Sequence, residues 1–294
     1  MGYGFTSRPS LITHCSSPSR MRIAVIVTTY NRPDALAAVL AGYAAQRNAE
    51  FDLLIADDGS TDDTLRVIDE FKARAKFPVI HIWHEDRGFR AAAIRNRALA
   101  ATRADYVIFS DGDCVPAPRF VAQHQRLAER GWFVAGNRVL LSAGFTNRVL
   151  HDKLPIHTRS LVSWLIAWGK RDINRWLPLV TLPDGEFRKS APGRWEGAKT
   201  CNLAAWRDDL IRVNGLDETY SGWGLEDSDL VIRLLHAGVR HKSARFAAPV
   251  FHLWHAENDR SRLTANQRRL DALLRSQTSV AELGVNRYMN SAAQ

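Results

Sequence analysis

Two carboxylates separated by a single glycine, Asp111-Gly112-Asp113, follow directly on the apolar run Tyr106 to Ser110. Carboxylates held that close repel each other unless a cation lies between them. A hard divalent ion, Mn²⁺ or Mg²⁺, takes a few carboxylate oxygens together with the phosphate oxygens of a substrate. Gly112 lets the backbone approach such a ligand without a side chain in the way. Asp and Gly are also turn residues, so the triplet taken alone reads as a surface turn. The metal reading gains from a second acidic pair, Asp57-Asp58, at the end of another apolar run.

A second acidic cluster is Gly222-Trp223-Gly224-Leu225-Glu226-Asp227-Ser228-Asp229. Acidic residues at a helix start oppose the positive end of its dipole, which accounts for Asp227 and Asp229 without any chemistry. It leaves the Gly-Trp-Gly lead unexplained. A Trp between glycines makes an apolar platform for a sugar ring, and a neighbouring carboxylate can accept a hydroxyl proton. His252 and His255 lie near the end of the last apolar run. Each is either a structural histidine or a neutral imidazole that completes the coordination begun at Asp111 and Asp113. Cys114 and Cys201 read as packed thiols, since no histidine partner is signalled for either.

These residues need elements to hold them. The runs Ile23 to Thr28, Phe51 to Ala56, Val79 to Trp83 and Tyr106 to Ser110 read as buried parallel strands. Between them Ala35 to Gln46, a segment from the Thr61-Asp62-Asp63 cap to about Ala75, and Ala91 to Thr102 read as helices. The alternation predicts an α/β fold with a mostly parallel sheet flanked by helices. Ligands bind such sheets at the carboxyl ends of the strands. Thr28-Thr29-Tyr30, Asp57-Asp58 and Asp111-Asp113 all fall at strand ends, so they are expected along one edge. The alternation stops near residue 137, and residues 138–195 read as an irregular, partly helical insert. Beyond it a strand at Asn202 to Ala205, helices at Trp206 to Val213 and Asp229 to Ala237, a strand at Pro249 to Trp254 and a helix at Leu263 to Leu283 are expected. With no repeat and no low-complexity linker, this describes a single domain with an insert.

The 294 residues suffice for one large α/β domain. No apolar run reaches the roughly 20 residues of a membrane-spanning helix. Residues 1–20 have no apolar centre and read as a loose tail, or an extended start before Met21. The three cysteines are too scattered for a disulfide framework or structural zinc site, which fits a reducing cytoplasm. The net charge is +9, and between Arg138 and Arg194 ten Lys/Arg stand against four Asp/Glu. That stretch also holds Trp164, Trp168 and Trp176. It is either a solvated basic face over core tryptophans or a surface for anionic lipid or an acidic glycan. Nucleic acid is disfavoured, because no binding motif accompanies the basic charge.

Val25-Ile26-Val27-Thr28-Thr29-Tyr30-Asn31-Arg32-Pro33, Asp57-Asp58-Gly59-Ser60-Thr61-Asp62 and Asp111-Gly112-Asp113 together resemble family 2 glycosyltransferases of the GT-A, Rossmann-like fold. The stretch from Arg87-Gly88-Phe89-Arg90 through Arg95-Asn96 to Asp113 is similar to the modules of bacterial chondroitin polymerase. Gly222-Trp223-Gly224-Leu225-Glu226-Asp227 resembles the acceptor loop of those modules and of β-1,4-galactosyltransferases. The likeness covers about residues 22–136 and 196–258, within a nucleotide-sugar half at 22–136 and an acceptor and catalytic half at 196–260. Residues 137–195 match no motif, and 261–294 form a C-terminal helical segment.

The resemblance implies roles position by position. Thr28, Tyr30, Arg32 and Asp58 match positions that hold uridine, with Asp58 accepting from the uracil N–H. Arg90 and Arg95 match a basic segment near the nucleotide and diphosphate. Asp111, Gly112 and Asp113 match the segment that holds Mn²⁺ or Mg²⁺ against the diphosphate. Spacing to Asn258 favours His252 over His255 as the third metal ligand. Asp227 matches the catalytic base of inverting members, Glu226 binds acceptor hydroxyls beside it, and Trp223 and Gly224 line the acceptor. The implied protein moves a sugar from a UDP-sugar to a glycan or lipid-linked glycan, as in surface polysaccharide or lipopolysaccharide synthesis. It works in the cytoplasm with peripheral contact to the inner membrane face, and without nucleic acid. The competing readings are a nucleotidyltransferase on sugar phosphates, disfavoured by the lack of a Gly-rich, Lys-bearing phosphate loop, and a non-catalytic glycan- or membrane-binding protein of the same fold.

Overall fold

Three of the four apolar runs are buried along nearly their whole length, as the inner strands of a parallel sheet must be, while Val79–Trp83 closes the edge with Ile80 and Trp83 exposed. In the computed structural model, which describes residues 21–257 and 259–289, β1 (Ile23–Thr29), β2 (Asp52–Asp57), β3 (Val79–Trp83) and β4 (Tyr106–Asp111) are parallel neighbours. The tail at residues 1–20 and the spacing argument through Asn258 lie outside the described residues. Helices α1 (Pro33–Ala44), α2 (Asp62–Lys72) and α3 (Ala91–Ala101) make the crossovers. Pro33 opens α1, where its missing N–H costs nothing. Thr61 stands at the start of α2 but makes no side-chain cap there. Its N–H instead donates to Asn31 Oδ1 at 2.9 Å, tying the loop after β2 to the loop after β1.

The next elements are β5 (Cys114–Pro116), α4 (Phe120–Leu127), β6 (Trp132–Ala135), β7 (Arg138–Leu140), α5 (Ala143–His151) and α6 (Leu161–Gly169). After them come β8 (Asn202–Trp206), α7 (Arg207–Arg212), α8 (Glu226–His236), β9 (Arg240–Ser243), β10 (Val250–His252) and α9 (Leu263–Leu274). The main sheet has the order β3-β2-β1-β4-β8-β6-β9, with β8 antiparallel to both of its neighbours. A small sheet, β5-β10-β7, sits beside it. The C-terminal helix is shorter than expected: α9 stops at Leu274, and Ser276 takes over the Leu273 carbonyl with both its N–H and its hydroxyl.

Alternate residues of each strand feed two cores. Val25, Leu53 and Ile108 face the layer of α1, α2 and the small sheet, while Ile26, Leu54 and Phe109 face that of α3, α7 and α8. Among the described residues no helix is long and apolar enough to cross a membrane.

Residues 138–195 are tied into this body. β7 completes the small sheet, and Trp164 of α6 stacks on Phe251 of β10, ring centroids 4.3 Å apart. Arg188 is fully buried, and its guanidinium donates to the carbonyls of Leu182, Pro183, Ser243, Arg245 and Phe246. It closes the segment against the end of β9. Arg188→Met would leave those carbonyls without donors, at a cost of about 3 kcal/mol. The expected result is a fall in melting temperature of roughly 6 to 12 °C. A change of only a degree or two would mean that the carbonyls find other partners.

Candidate active site

The strand register brings the expected edge together. Thr29 is opposite Asp57, Asp57 opposite Trp83, and Thr28 opposite Asp111. Gly112 N–H donates to Thr28 O at 2.7 Å, so the chain after β4 folds back over β1. A Cβ on Gly112 would stand 2.9 Å from Thr29 Oγ1. The glycine is therefore required by the protein's own packing as well as by any ligand's approach.

Asp57 and Asp58 are both buried, and each is held by a histidine that the sequence reading passed over. His81 Nε2 lies 3.0 Å from Asp57 Oδ2, and His84 Nε2 lies 2.6 Å from Asp58 Oδ1. Burial pushes the Asp57 carboxyl up, but hydrogen bonds from His81 and Ser60 outweigh it and leave the group below its ordinary range. Asp58 Oδ2 accepts from the Arg90 backbone N–H at 2.8 Å. Tyr30 is about half exposed above this pair, and its hydroxyl donates to Asp86 at 2.9 Å. Arg32 pairs with Asp34 at the start of α1.

Arg95, expected near a diphosphate, is buried under the edge instead. Its Nε donates to Thr28 Oγ1 at 2.8 Å, Nη2 to Asp111 Oδ1 at 2.8 Å and Nη1 to Glu226 Oε1 at 3.4 Å. Burial opposes its charge, but Asp111 and Glu226 outweigh that and hold it protonated. Asp111 is pushed up by burial and by Asp113, and drawn back by Arg95. The two acids of the triplet thus part ways, Asp111 facing Arg95 and Asp113 facing β10.

Asp113 Oδ2 lies 3.6 Å from His252 Nε2 and 3.3 Å from His255 Nε2. The preference for His252 has no counterpart in these distances, since both imidazoles converge on one carboxylate. Candidate ligand atoms of the three residues all fall within 4.8 Å of one another. Burial lowers the His252 pKa, favouring the neutral imidazole that a metal requires. A second group, Asp111-Cys114-Cys201, is equally close, but burial raises the Cys114 thiol well above its ordinary value and disfavours the thiolate. One carboxylate with two imidazoles is a mixed oxygen and nitrogen donor set, which of the two expected ions fits Mn²⁺ better than Mg²⁺, whose preference is for oxygen alone.

The acceptor-type loop leads into the first turn of α8. Gly222 and Gly224 have φ of +68° and +105°, and Leu225, which precedes the helix, has φ +78°. For leucine that is strain of order 1 to 3 kcal/mol, held in place by its surroundings. Buried Asn266 of α9 donates to Ser221 O and Gly224 O, pinning the loop from behind. Nothing in the sequence marked it. Arg260 stacks near Trp223. Lys199 Nζ stands 3.6 Å from Asp227 Oδ1, which also accepts from Ser228 N–H. Glu226 Oε2 is buried and has no hydrogen-bond partner among the described residues. Burial, with Asp227 beside it, pushes the Glu226 carboxyl up to about 7. Arg32, His151, Trp254 and His255 border a cavity of roughly 320 Å³ between α1, α5 and the chain after β10.

Comparison with known proteins gives the chain's family and agrees with its fold. Residues 24–188 match the model of glycosyl transferase family 2, and residues 188–256 match the N-terminal domain of galactosyltransferase. A validoxylamine A glucosyltransferase of Streptomyces hygroscopicus subsp. jinggangensis is 31% identical over 233 residues, 74% of this chain and 52% of the relative. The Escherichia coli chondroitin synthase is 26% identical over 246 residues, 76% of this chain and 34% of the relative. The chain thus spans about half or less of these relatives. Among solved structures, the mannosyltransferase PcManGT from Pyrobaculum calidifontis, in complex with GDP-Man and Mn²⁺, superposes with a TM-score of 0.58. It is 16% identical, over 93% of this chain and 73% of that one, a likeness of fold.

Glu226 has a pH signature. Its folded value of about 7 lies above the ordinary 4.5, so between these values the folded chain keeps a proton that the unfolded chain has released. Stability from this group is full at low pH and lost as pH rises through that window. Without metal, Glu226→Gln should gain melting temperature relative to wild type on going from about pH 5 to about pH 8, by a few degrees. Parallel curves across that range would refute the shift.

Proposed function

The chain belongs to glycosyl transferase family 2, and from that premise we propose that it moves a sugar from a UDP-sugar to a hydroxyl of a glycan or lipid-linked glycan, with inversion at the anomeric carbon. The observation that carries this is the convergence of three groups at one strand edge. They are Asp58 with Tyr30 close by, the Asp113-His252-His255 cluster and the Glu226-Asp227 pair, which Arg95 ties to Asp111.

In this reading Tyr30 and Asp58 receive the uracil, and His84 and the Arg90 N–H orient Asp58 for it. Thr28 and Arg32 flank the same nucleotide site, with the Arg90 side chain beside it. Arg95 acts from beneath, fixing Asp111 and Glu226 in place. A Mn²⁺ or Mg²⁺ ion held by Asp113 with His252 and His255, and with Asp111 at its side, would neutralise charge building on the departing diphosphate. Trp223 offers its ring to a sugar, with Gly224 keeping the loop open to it. Glu226 Oε2, buried without a partner, accepts a hydrogen bond from an acceptor hydroxyl, and Asp227 takes the proton of the attacking one. That oxygen bonds to the anomeric carbon as the bond to the diphosphate breaks, and UDP leaves with the electron pair. Holding the reactants in line supplies much of the acceleration.

The lipid-linked acceptor, the place in surface polysaccharide or lipopolysaccharide synthesis and the cytoplasmic location belong to the same proposal. The basic, Trp-bearing 138–195 segment supports the anionic or lipid-linked acceptor, and likeness to a chondroitin synthase supports polysaccharide synthesis. A donor screen of UDP- and GDP-sugars with Mn²⁺ present and absent identifies the substrate. With the donor found, Asp227→Asn should bind UDP within about twofold of wild type and lose at least about 100-fold in transfer. Unimpaired turnover in that variant would sink the assignment of the base. Turnover of a sugar 1-phosphate with UTP would point to nucleotidyl transfer instead.

A further inference from the structure

The nine residues of α6, Leu-Val-Ser-Trp-Leu-Ile-Ala-Trp-Gly, contain no charge, yet the helix buries only Trp164 and Ala167. Leu161, Val162, Leu165, Ile166 and Trp168 face solvent, with Val162 65% and Ile166 54% exposed. Positions 161, 162, 165 and 166 share one helical face, so this is a continuous apolar strip. Each such side chain left in water forgoes about 1.5 to 3 kcal/mol of burial. An exposed strip of this kind marks a binding surface.

Its rim says what it binds. Lys170 and Arg171 follow the helix directly and Arg175 precedes Trp176, which packs against Trp168; all three cations are exposed. The one acid between Lys170 and Trp176, Asp172, is already paired with Arg148 at 2.6 Å. Trp168 stands at the end of the strip against Trp176, ring centroids 6.5 Å apart. An uncharged apolar face, a basic border and a tryptophan at the boundary complement the acyl region, headgroups and interface of an anionic bilayer. A protein partner matched to the same rim would have to bring acidic groups around an apolar centre, and a second copy of this chain would set like charges against each other.

We propose that α6 lies in the plane of an anionic membrane surface and docks the protein there by Leu161, Val162, Leu165, Ile166 and Trp168. The buried side of the helix connects this face to the site. Trp164 stacks on Phe251, whose neighbour His252 faces Asp113, and Phe145 of α5 packs edge-on against the same Trp164 ring. Docking therefore sets the Asp113-His252-His255 cluster one helix layer from the bilayer, within reach of an acceptor carried on a lipid. That last consequence rests on the transfer reading above; the docking itself does not.

The test is sedimentation of the full chain with vesicles of phosphatidylcholine alone or mixed equally with phosphatidylglycerol, at low and high salt. UDP binding and light scattering are measured in parallel. The wild type should partition onto the anionic vesicles and partly release at high salt. Val162→Glu/Ile166→Glu should reduce partitioning by at least about tenfold while binding UDP as the wild type does. Absence of binding by the wild type, or undiminished binding by the variant, overturns the proposal. Equal binding to the neutral vesicles overturns the choice of anionic lipid. A wild-type dimer that the variant converts to a monomer, with no vesicle binding, would assign the face to a second copy. Failure of the wild type to bind UDP would count against the transfer reading and leave the vesicle result standing.

Discussion

A buried guanidinium organises the site. Taking a charge out of water costs several kcal/mol unless its partners are well placed, and Arg95 finds them on three separate elements. Thr28 comes from β1, Asp111 from the end of β4, and Glu226 from the first turn of α8. Because Arg95 projects from α3, one side chain joins the parallel half of the sheet to the helix that carries Glu226 and Asp227. The same pairing divides the labour of the triplet. Asp111 is turned inward to balance Arg95, so Asp113 alone among the pair meets the two histidines on the far side.

Much of the edge was legible in the sequence because buried parallel strands leave a plain signature. An apolar run ends abruptly in polar residues, and register then sets those ends side by side. Asp58, Asp111, Asp113, Glu226 and Asp227 could be nominated on that ground, and the family likeness follows from the same motifs in the same order. What stayed hidden were the residues that work through others. His81 and His84 sit in or just after β3 and look like ordinary polar positions, yet they pin Asp57 and Asp58 at the end of β2. Asn266 reads as a surface position on an amphipathic helix, but it is buried and secures the Gly222–Gly224 loop. Such contacts span tens of residues, and no local pattern announces them.

Secondary structure failed where polarity was compensated at a distance. β9 reads Arg-His-Lys-Ser, which no hydrophobic period would call a strand. Lys242 is buried there because Glu129 and Asp184 both reach its ammonium group. The tryptophans between 138 and 195 resolve the same way. Within that segment Trp164 is core and Trp168 is surface. The two stand one turn apart on α6, so their different burial is set by what packs against each turn and not by their spacing.

The central claim is that the strand-end acids are divided, Asp111 to Arg95 and Asp113 to a cation that receives the diphosphate. Calorimetric titration of UDP into wild type, Asp111→Asn and Asp113→Asn, with and without Mn²⁺, tests it directly. The account predicts that Mn²⁺ strengthens UDP binding in the wild type by about tenfold or more. Asp113→Asn should abolish that gain with little change in melting temperature, whereas Asp111→Asn should lower the melting temperature by unpairing Arg95. A full Mn²⁺ effect surviving in Asp113→Asn would contradict it.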